Sequence, residues 1–291
     1  MQLRITVLGA GRMGSALARA FLQQSYETTV WNRTPSRLAP LVTLGARAAT
    51  SLLDAVTGAD IAIVNVNDYA TGDTLLREEG VAQALSGKLL VQLTSGSPKQ
   101  ARDTAAWAAK HGIRYLDGAI MATPDLIGGP QCTILYAGDI GAFDQYKAAL
   151  STLGSNGVHV GADSGLAAAL DSALLVVMWG ALFGTLQGVA ICKAEKFKLS
   201  AYASYLAPFL QAMSGWSMDV VKRIDEGRLS GDAETVATLD AHYGAFRCLM
   251  ELCKDRHIHL GLPDAMEPIF RAALHAGHAQ DDFAILSRFM K

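Results

Sequence analysis

The sequence is poor in charge, in cysteine and, over one long stretch, in proline. Only 18% of its 291 residues are charged and the formal net charge is −2. No excess of either sign is available to hold a nucleic acid or an anionic membrane surface. The four cysteines, Cys132, Cys192, Cys248 and Cys253, form no C-x-x-C pair and no paired framework. A disulfide scaffold is thereby excluded, and the cysteines read as reduced, mostly buried thiols of a cytoplasmic protein. Metal-ligand spacing is also missing. His257 and His259 stand two apart in an expected loop, and His275 and His278 have no acidic partner at ligand spacing, so no metal is expected. The first strand begins at residue 3, which leaves no room for a signal or transit peptide. Internal repeats, low-complexity segments and flexible linkers are absent as well.

Proline is missing from Pro130 to Pro208, and that interval contains GLAAALDSALLVVMWGALFGTLQGVAICK, Gly165 to Lys193. Nothing there stops one long helix. At 1.5 Å per residue it would run about 43 Å, too long for one small domain to cover. Apolar residues surround it on every side, so it is expected to be buried all round. Such a run resembles a transmembrane segment. Asp171 near one end, Gln187 near the other, three interior glycines and the lack of basic flanks or a second span favour a buried core or interface helix. Gly180, Gly184 and Gly188, at four-residue spacing, read as a close helix-packing face.

What is present is hydrophobic: 51% of the chain, enough for two domains with much internal or subunit-interface surface. Leu3 to Leu8 is β-rich and leads into GAGRMG, Gly9 to Gly14, followed by an apolar helical pattern through Leu22. A second strand covers Thr28 to Trp31. Thr34 then caps a helix that opens at Pro35 and runs toward Val42. Further strands are expected at Ile61 to Val66, Leu89 to Leu93, Arg114 to Leu116, Thr133 to Ala137 and Gly157 to Val160. A helix should span Ala101 to His111, and Asp117 to Pro130 should be a loop. Alternating strands and helices predict a doubly wound, mostly parallel α/β sheet. After Gly161 the strand signals stop, and Asp163 or Ser164 would cap the long helix. Helices are then expected near 199–226, 233–256, 264–276 and 281–290, with Asp264 and Asp281 at starts, Pro268 in a first turn and Gly277 at an end. The change of class gives two domains, 1–162 and 163–291.

Gly9-x-Gly11-x-x-Gly14 follows a strand and opens a helix at the start of a βαβ unit, the context of a dinucleotide site. Gly9 permits the tight turn, Gly11 lets backbone approach a pyrophosphate, and Gly14 lets helix pack on strand. Arg12 and Met13 lie within the same loop. An NAD site usually ends its second strand in a carboxylate for the ribose 2′-hydroxyl. Here the strand ends in Asn32, Arg33 and Thr34, with Arg37 one turn on. No carboxylate repels a 2′-phosphate there and a guanidinium can bind it bidentately, so the cofactor is expected to be NADP(H). Asn65, Asn67, Thr94, Ser95 and Ser97 follow the C-terminal ends of buried strands, where such sheets bind ligands, although turn formation accounts for them equally well.

Asp171 has Ala167, Ala168, Leu174 and Leu175 as helical neighbours, a carboxylate in apolar surroundings. It lies two turns beyond the expected cap, so the helix dipole does not explain it. From the helix alone, a catalytic acid and a buried Asp bonded to a neighbouring helix or subunit are equally good readings.

GAGRMG, WNRT, LTSGSP, DGAIMATPDLIGG, GLAAALDSALL and the tail AGHAQDDFAIL together resemble the NADPH-dependent imine reductases and reductive aminases of the β-hydroxyacid dehydrogenase superfamily. The resemblance spans essentially the whole chain. It implies an N-terminal Rossmann domain, an interdomain helix and an all-α C-terminal domain, with two subunits interlocked as a homodimer. Hydroxyacid dehydrogenases carry a catalytic Lys on the long helix, whereas imine reductases carry Asp or Tyr and this chain has Asp171. The nearest Lys on the helix, Lys193, is about 33 Å away. Ser95 stands where reductive aminases often have Asn, and Trp179 where some have a pocket Tyr. Both departures argue against efficient intermolecular amine–carbonyl coupling. Trp216 matches an aromatic that lines the family's pocket.

The chemistry so implied is hydride transfer to the carbon of a C=N bond. Asp171 would protonate the nitrogen or, as carboxylate, support the iminium. Met121, Leu175, Met178, Trp179 and Trp216 would form an apolar pocket for a cyclic imine or amine. Two rival readings remain: a β-hydroxyacid dehydrogenase-like C=O reductase, and a non-catalytic NADP(H)-binding protein.

Overall fold

The computed structural model describes residues 3–290. Strand β1 (Arg4–Leu8) lies inside a parallel sheet. On one side of it lie β2 (Glu27–Trp31) and the two-residue β3 (Arg47–Ala48). On the other lie β4 (Ile61–Val64), β5 (Leu89–Gln92), β6 (Arg114–Met121), β7 (Thr133–Gly138) and β8 (Asn156–Gly161). The order β3-β2-β1-β4-β5-β6-β7-β8 is parallel at every step except β6–β7. β4 and β5 are wholly buried because helices cover both faces, which is why they read as unbroken apolar runs. The order reverses between β1 and β4, so a crevice opens beyond their C-terminal ends.

The covering helices are α1 (Arg12–Gln23), α2 (Ala39–Thr43), α3 (Leu52–Thr57), α4 (Tyr69–Leu76), α5 (Val81–Leu85), α6 (Pro98–Lys110) and α7 (Ile140–Ser151). Helices α3, α4, α5 and α7 and strand β3 are additions to the expected elements, and α3, α4 and α7 open on the capping side chains of Ser51, Asp68 and Asp139. Two local expectations are corrected. Pro35–Leu38 is a 3₁₀ turn before α2, and the Thr34 side chain caps nothing. The predicted 117–130 loop is strand as far as Met121, because β6 pairs antiparallel with β7 from Leu116↔Gly138 to Met121↔Thr133.

Helix α8 (Leu166–Ala194) is unbroken, and Asp163 Oδ1 accepts from the Gly165 N–H just before it. Its expected burial on all sides is not met within one chain. Val176, Phe183 and Leu186 are 72%, 58% and 63% exposed. It is long and apolar enough to cross a membrane, with a mean hydropathy of 2.0 over its most apolar stretch. The chain divides into two compact units, Met1–Val176 and Val177–Lys291, so the division falls inside this helix.

The second unit adds α9 (Leu199–Asp225), α10 (Leu239–Asp255), α11 (Gly261–His275) and a 3₁₀ segment Phe283–Phe289. Leu239, Phe270, Ala273, Ile285 and Leu286 form its core. Arg223 is wholly buried and ion-paired to Asp219, Asp232 and Asp282, which ties the end of α9 to the C-terminal segment. Helix α11 starts three residues earlier than expected. Pro268 therefore sits mid-helix rather than in a first turn, where it removes one i→i−4 bond. Asp282, not Asp281, caps the 3₁₀ segment. Gly188 has Tyr202 against it, a Cβ there falling 2.3 Å from the phenol oxygen, but nothing lies within 4 Å of Gly180 or Gly184. The expected glycine face thus packs at one position only within the chain.

Candidate active site

The glycine loop is shaped by close approach. Gly9 has φ +109°, and a Cβ there would lie 2.1 Å from the Asn65 carbonyl oxygen. At Gly14 a Cβ would lie 2.0 Å from the carbonyl oxygen of Gly9. Neither position admits another residue without moving backbone. Gly11 differs: nothing lies within 4 Å of its Cβ position, so the space beside it is open. No side chain caps α1, and the N–H groups of its first turn face that space as an anion site.

A cavity of about 370 Å³ lies over this turn, lined by Gly9, Gly11, Arg12, Met13, Asn32, Arg33, Thr34, Arg37, Asn65 and Asn67 among others. It shares Gly11, Arg12 and Arg37 with a neighbouring hollow that adds Ser15, Arg19 and Asp125. It shares Met13, Asn65, Val66 and Asn67 with a smaller one of about 250 Å³, lined by Ser95, Gly118, Ala119 and Ile120. Most of the expected cofactor residues are thus gathered along one crevice at the switch point of the sheet, whereas Gly14 and Thr94 do not line it. Several of them act on the protein itself. The Asn32 side chain accepts from the Ala10 N–H at 3.0 Å and donates to the Thr34 carbonyl, holding the glycine loop to the end of β2. Asn65 donates to the Leu93 carbonyl at 2.7 Å, and Thr94 accepts from the Val66 N–H. Ser97 forms a capping box with Gln100 at the start of α6, so turn chemistry accounts for it. Arg33 and Arg37 have no ion pair among the described residues and no carboxylate lines the cavity beside them, which fits a 2′-phosphorylated dinucleotide.

Asp171 is half-buried on α8, and burial holds its carboxyl above the usual range with no cation to offset it. Ala167, one turn earlier, packs with Ala119, Leu135 and Ala137, and Met121 joins that cluster. Leu175 is half-buried one turn further on. Met121, Asp171 and Leu175 belong to the first compact unit. Met178, Trp179 and Trp216 belong to the second, at 42%, 54% and 52% exposure, and Trp216 stacks edge-on with Phe209 at 5.8 Å.

Asp117 is a further acid that the sequence motifs do not single out. It is 2% exposed in β6, accepts hydrogen bonds from Tyr69 and Tyr115, and is pushed up to about 6, chiefly by burial. Its one signal in the sequence is a charge in the middle of the apolar run YLDGAIM. His278 has an acidic neighbour, a single contact that makes no ligand set. Its Nδ1 meets Asp281 Oδ2 at 2.6 Å, because Gly277, at φ +90°, turns the chain back. No cluster of three or more metal-ligating side chains occurs among the described residues.

Known proteins bear on this geometry directly. Residues 4–161 match the NAD binding domain of 6-phosphogluconate dehydrogenase, and residues 163–291 match the C-terminal domain of NADPH-dependent reductive aminase-like proteins. An imine reductase from Myxococcus stipitatus, solved with NADP+, is 53% identical and superposes with a TM-score of 0.95, covering 99% of this chain and 100% of its own. A reductive aminase from Aspergillus terreus, solved with NADPH and ethyl levulinate, is 31% identical with a TM-score of 0.91 over 100% of both chains. The NADPH-dependent reductive aminase of Aspergillus oryzae is 31% identical over 100% of this chain and 98% of its own length. With a crevice that fits NADP(H) and end-to-end similarity to these enzymes, the chain belongs to the family of NADPH-dependent imine reductases and reductive aminases, oxidoreductases of the C=N bond.

Proposed function

We propose that this enzyme reduces cyclic imines and iminium ions to amines, with Asp171 as the acid that protonates the imine nitrogen. NADPH, when bound, supplies the hydride from C4 of its nicotinamide. Gly9, Gly11, Arg12 and Met13 would hold its pyrophosphate on the α1 N-terminus, Gly14 would keep that helix close to the strand, and Arg33 and Arg37 would take the 2′-phosphate. Asn32, Asn65 and Thr94 fix the loops that make up the crevice. Ser95 lies on the wall of the smaller cavity, toward the reacting end.

The observation that carries this reading is the environment of Asp171. Its carboxyl is half-buried, raised above the usual range, and has no cation to hold it ionised. Such a group keeps a proton to higher pH than an exposed carboxyl, as a general acid near neutrality must. A neutral imine becomes a far better hydride acceptor once protonated. Met121 and Leu175, in the same unit as Asp171, offer the substrate apolar side chains, and the exposed, apolar α8 supports a second copy of the chain as its cover. Two functional domains, 1–162 and 163–291, agree with where the two family matches part. The free cysteines suit the reducing cytoplasm.

The test is NADPH consumption with 2-methyl-1-pyrroline, beside oxidation of 3-hydroxy acids with NADP+. Asp171→Asn should keep cofactor binding and lose about 10²–10⁴-fold in kcat on the neutral imine. A preformed, permanently charged iminium should be much less affected. An unchanged kcat on the neutral imine would remove the proton-donor role.

A further inference from the structure

The catalytic reading uses one carboxyl, yet the same compact unit buries a second. Asp117 is 2% exposed, and no ion pair reaches it among the described residues. The phenols of Tyr69 on α4 and Tyr115 on β6 donate to its Oδ1, Tyr115 at 3.3 Å, and the two phenol oxygens lie 3.4 Å apart. Gln92, its register partner on β5, is wholly buried and its amide nitrogen has no hydrogen-bond partner among the described residues. A buried polar cluster of this kind is costly in the interior of a sheet face that is otherwise apolar.

Its placement ties it to the site in three ways. Gly118 and Ala119, which follow Asp117, line the smaller cavity together with Ser95. The Tyr69 ring lies so close to Gly96 that a Cβ there would sit 2.2 Å from it, so the cluster also backs the loop that carries Ser95. Across the sheet, Asp117 is in register with Ala137, and Ala137 packs with Ala119 against Ala167, one helical turn before Asp171.

We propose that Asp117, clamped by Tyr69 and Tyr115 on the strand whose Ala119 packs against Ala167 of α8, is a positioning residue whose charge governs when Asp171 gives up its proton. The inference rests on Asp171 being the acid. Burial raises both carboxyls, and the charge of Asp171 adds to the rise of Asp117; because charge repulsion is reciprocal, an ionised Asp117 must in turn disfavour ionisation of Asp171. The remaining groups that act on Asp117 are the two phenols, which burial keeps protonated. Asp73 of α4 acts on Tyr69 and accepts from Thr104 of α6 at 3.0 Å. No lysine, arginine or histidine is among the groups that act on Asp117.

The experiment is kcat/KM against pH on a neutral cyclic imine for wild type, Asp117→Asn, Tyr69→Phe and Asp171→Asn, with NADPH binding and Tm measured alongside. The limb that Asp171→Asn removes should move to lower pH by about one unit in Asp117→Asn, roughly a tenfold loss at pH values above both limbs. Tyr69→Phe should move it in the same direction by less, because a carboxyl short of one donor holds its proton longer and carries less charge. If Asp117→Asn fails to fold, Tyr69→Phe decides. A fall in kcat or Tm with the limb unmoved makes Asp117 a packing residue and overturns the inference. Wild-type activity in Asp171→Asn removes the acid itself, and this inference with it.

Discussion

At the scale of single residues, charge and burial make opposite demands at two positions. Arg33 lines a cavity with no ion pair among the described residues, and its proposed use is a ligand phosphate. Arg33→Ala should raise the KM for NADPH well above any change for NADH, and steady-state kinetics with both cofactors check this. Equal use of both by the wild type would contradict it. Asp117 is an acid kept from water. With a folded value of about 6 against an ordinary 3.8, the native state binds the extra proton between those limits. Its contribution to stability is complete below pH 4 and lost as pH rises through 6, about 3 kcal/mol in all. Urea unfolding of wild type and Asp117→Asn across pH 4–7 should therefore show the variant gaining relative stability as pH rises. A constant difference would mean that Asp117 is not shifted in the folded state.

At the scale of elements, close packing limits what the loops can become. Gly14→Ala would bring a methyl against the carbonyl oxygen of Gly9, 2.0 Å away, at the α1 N-terminus. The turn must open, and NADPH binding by fluorescence titration should fall at least tenfold while the second unit stays folded. Elements with local signals are legible in the amino-acid sequence. The glycine turn, the buried strands β4 and β5 and the long helix follow from periodicity and punctuation. Elements decided by distant pairing are not. β6 extends to Met121 only because β7 lies beside it, and the Asp117 cluster exists only because Tyr69 reaches it from α4. Pro268 misleads because the start of α11, at Gly261, has no side-chain cap to announce it. Of the candidate site, the cofactor residues are visible as a motif, and the roles of Asn32, Asn65 and Thr94 within it are not. Each bonds to backbone that is remote or newly turned, which no spacing rule records.

At the scale of the whole molecule, the apolar surface of α8 asks for a partner. Val176, Val177, Phe183 and Leu186 are each more than half exposed, an unusual load for one helix in water. A second copy of the chain should cover it. Light scattering at micromolar concentration should give a dimer, and Val177→Glu should give a monomer with the sheet intact and imine reduction lost. A stable, active wild-type monomer would contradict the proposal.

The division of the chain inside α8 also bears on how such enzymes exchange parts. The family matches change over at residue 162, yet the compact units change over between Val176 and Val177. A chimaera joined at 162 would leave α8 whole and send Asp171 with the incoming helical half, parting it from Asp117. Grafts between relatives should therefore succeed or fail on the small contacts of Ala167 with Ala119 and Ala137, and these three alanines are the positions to match first.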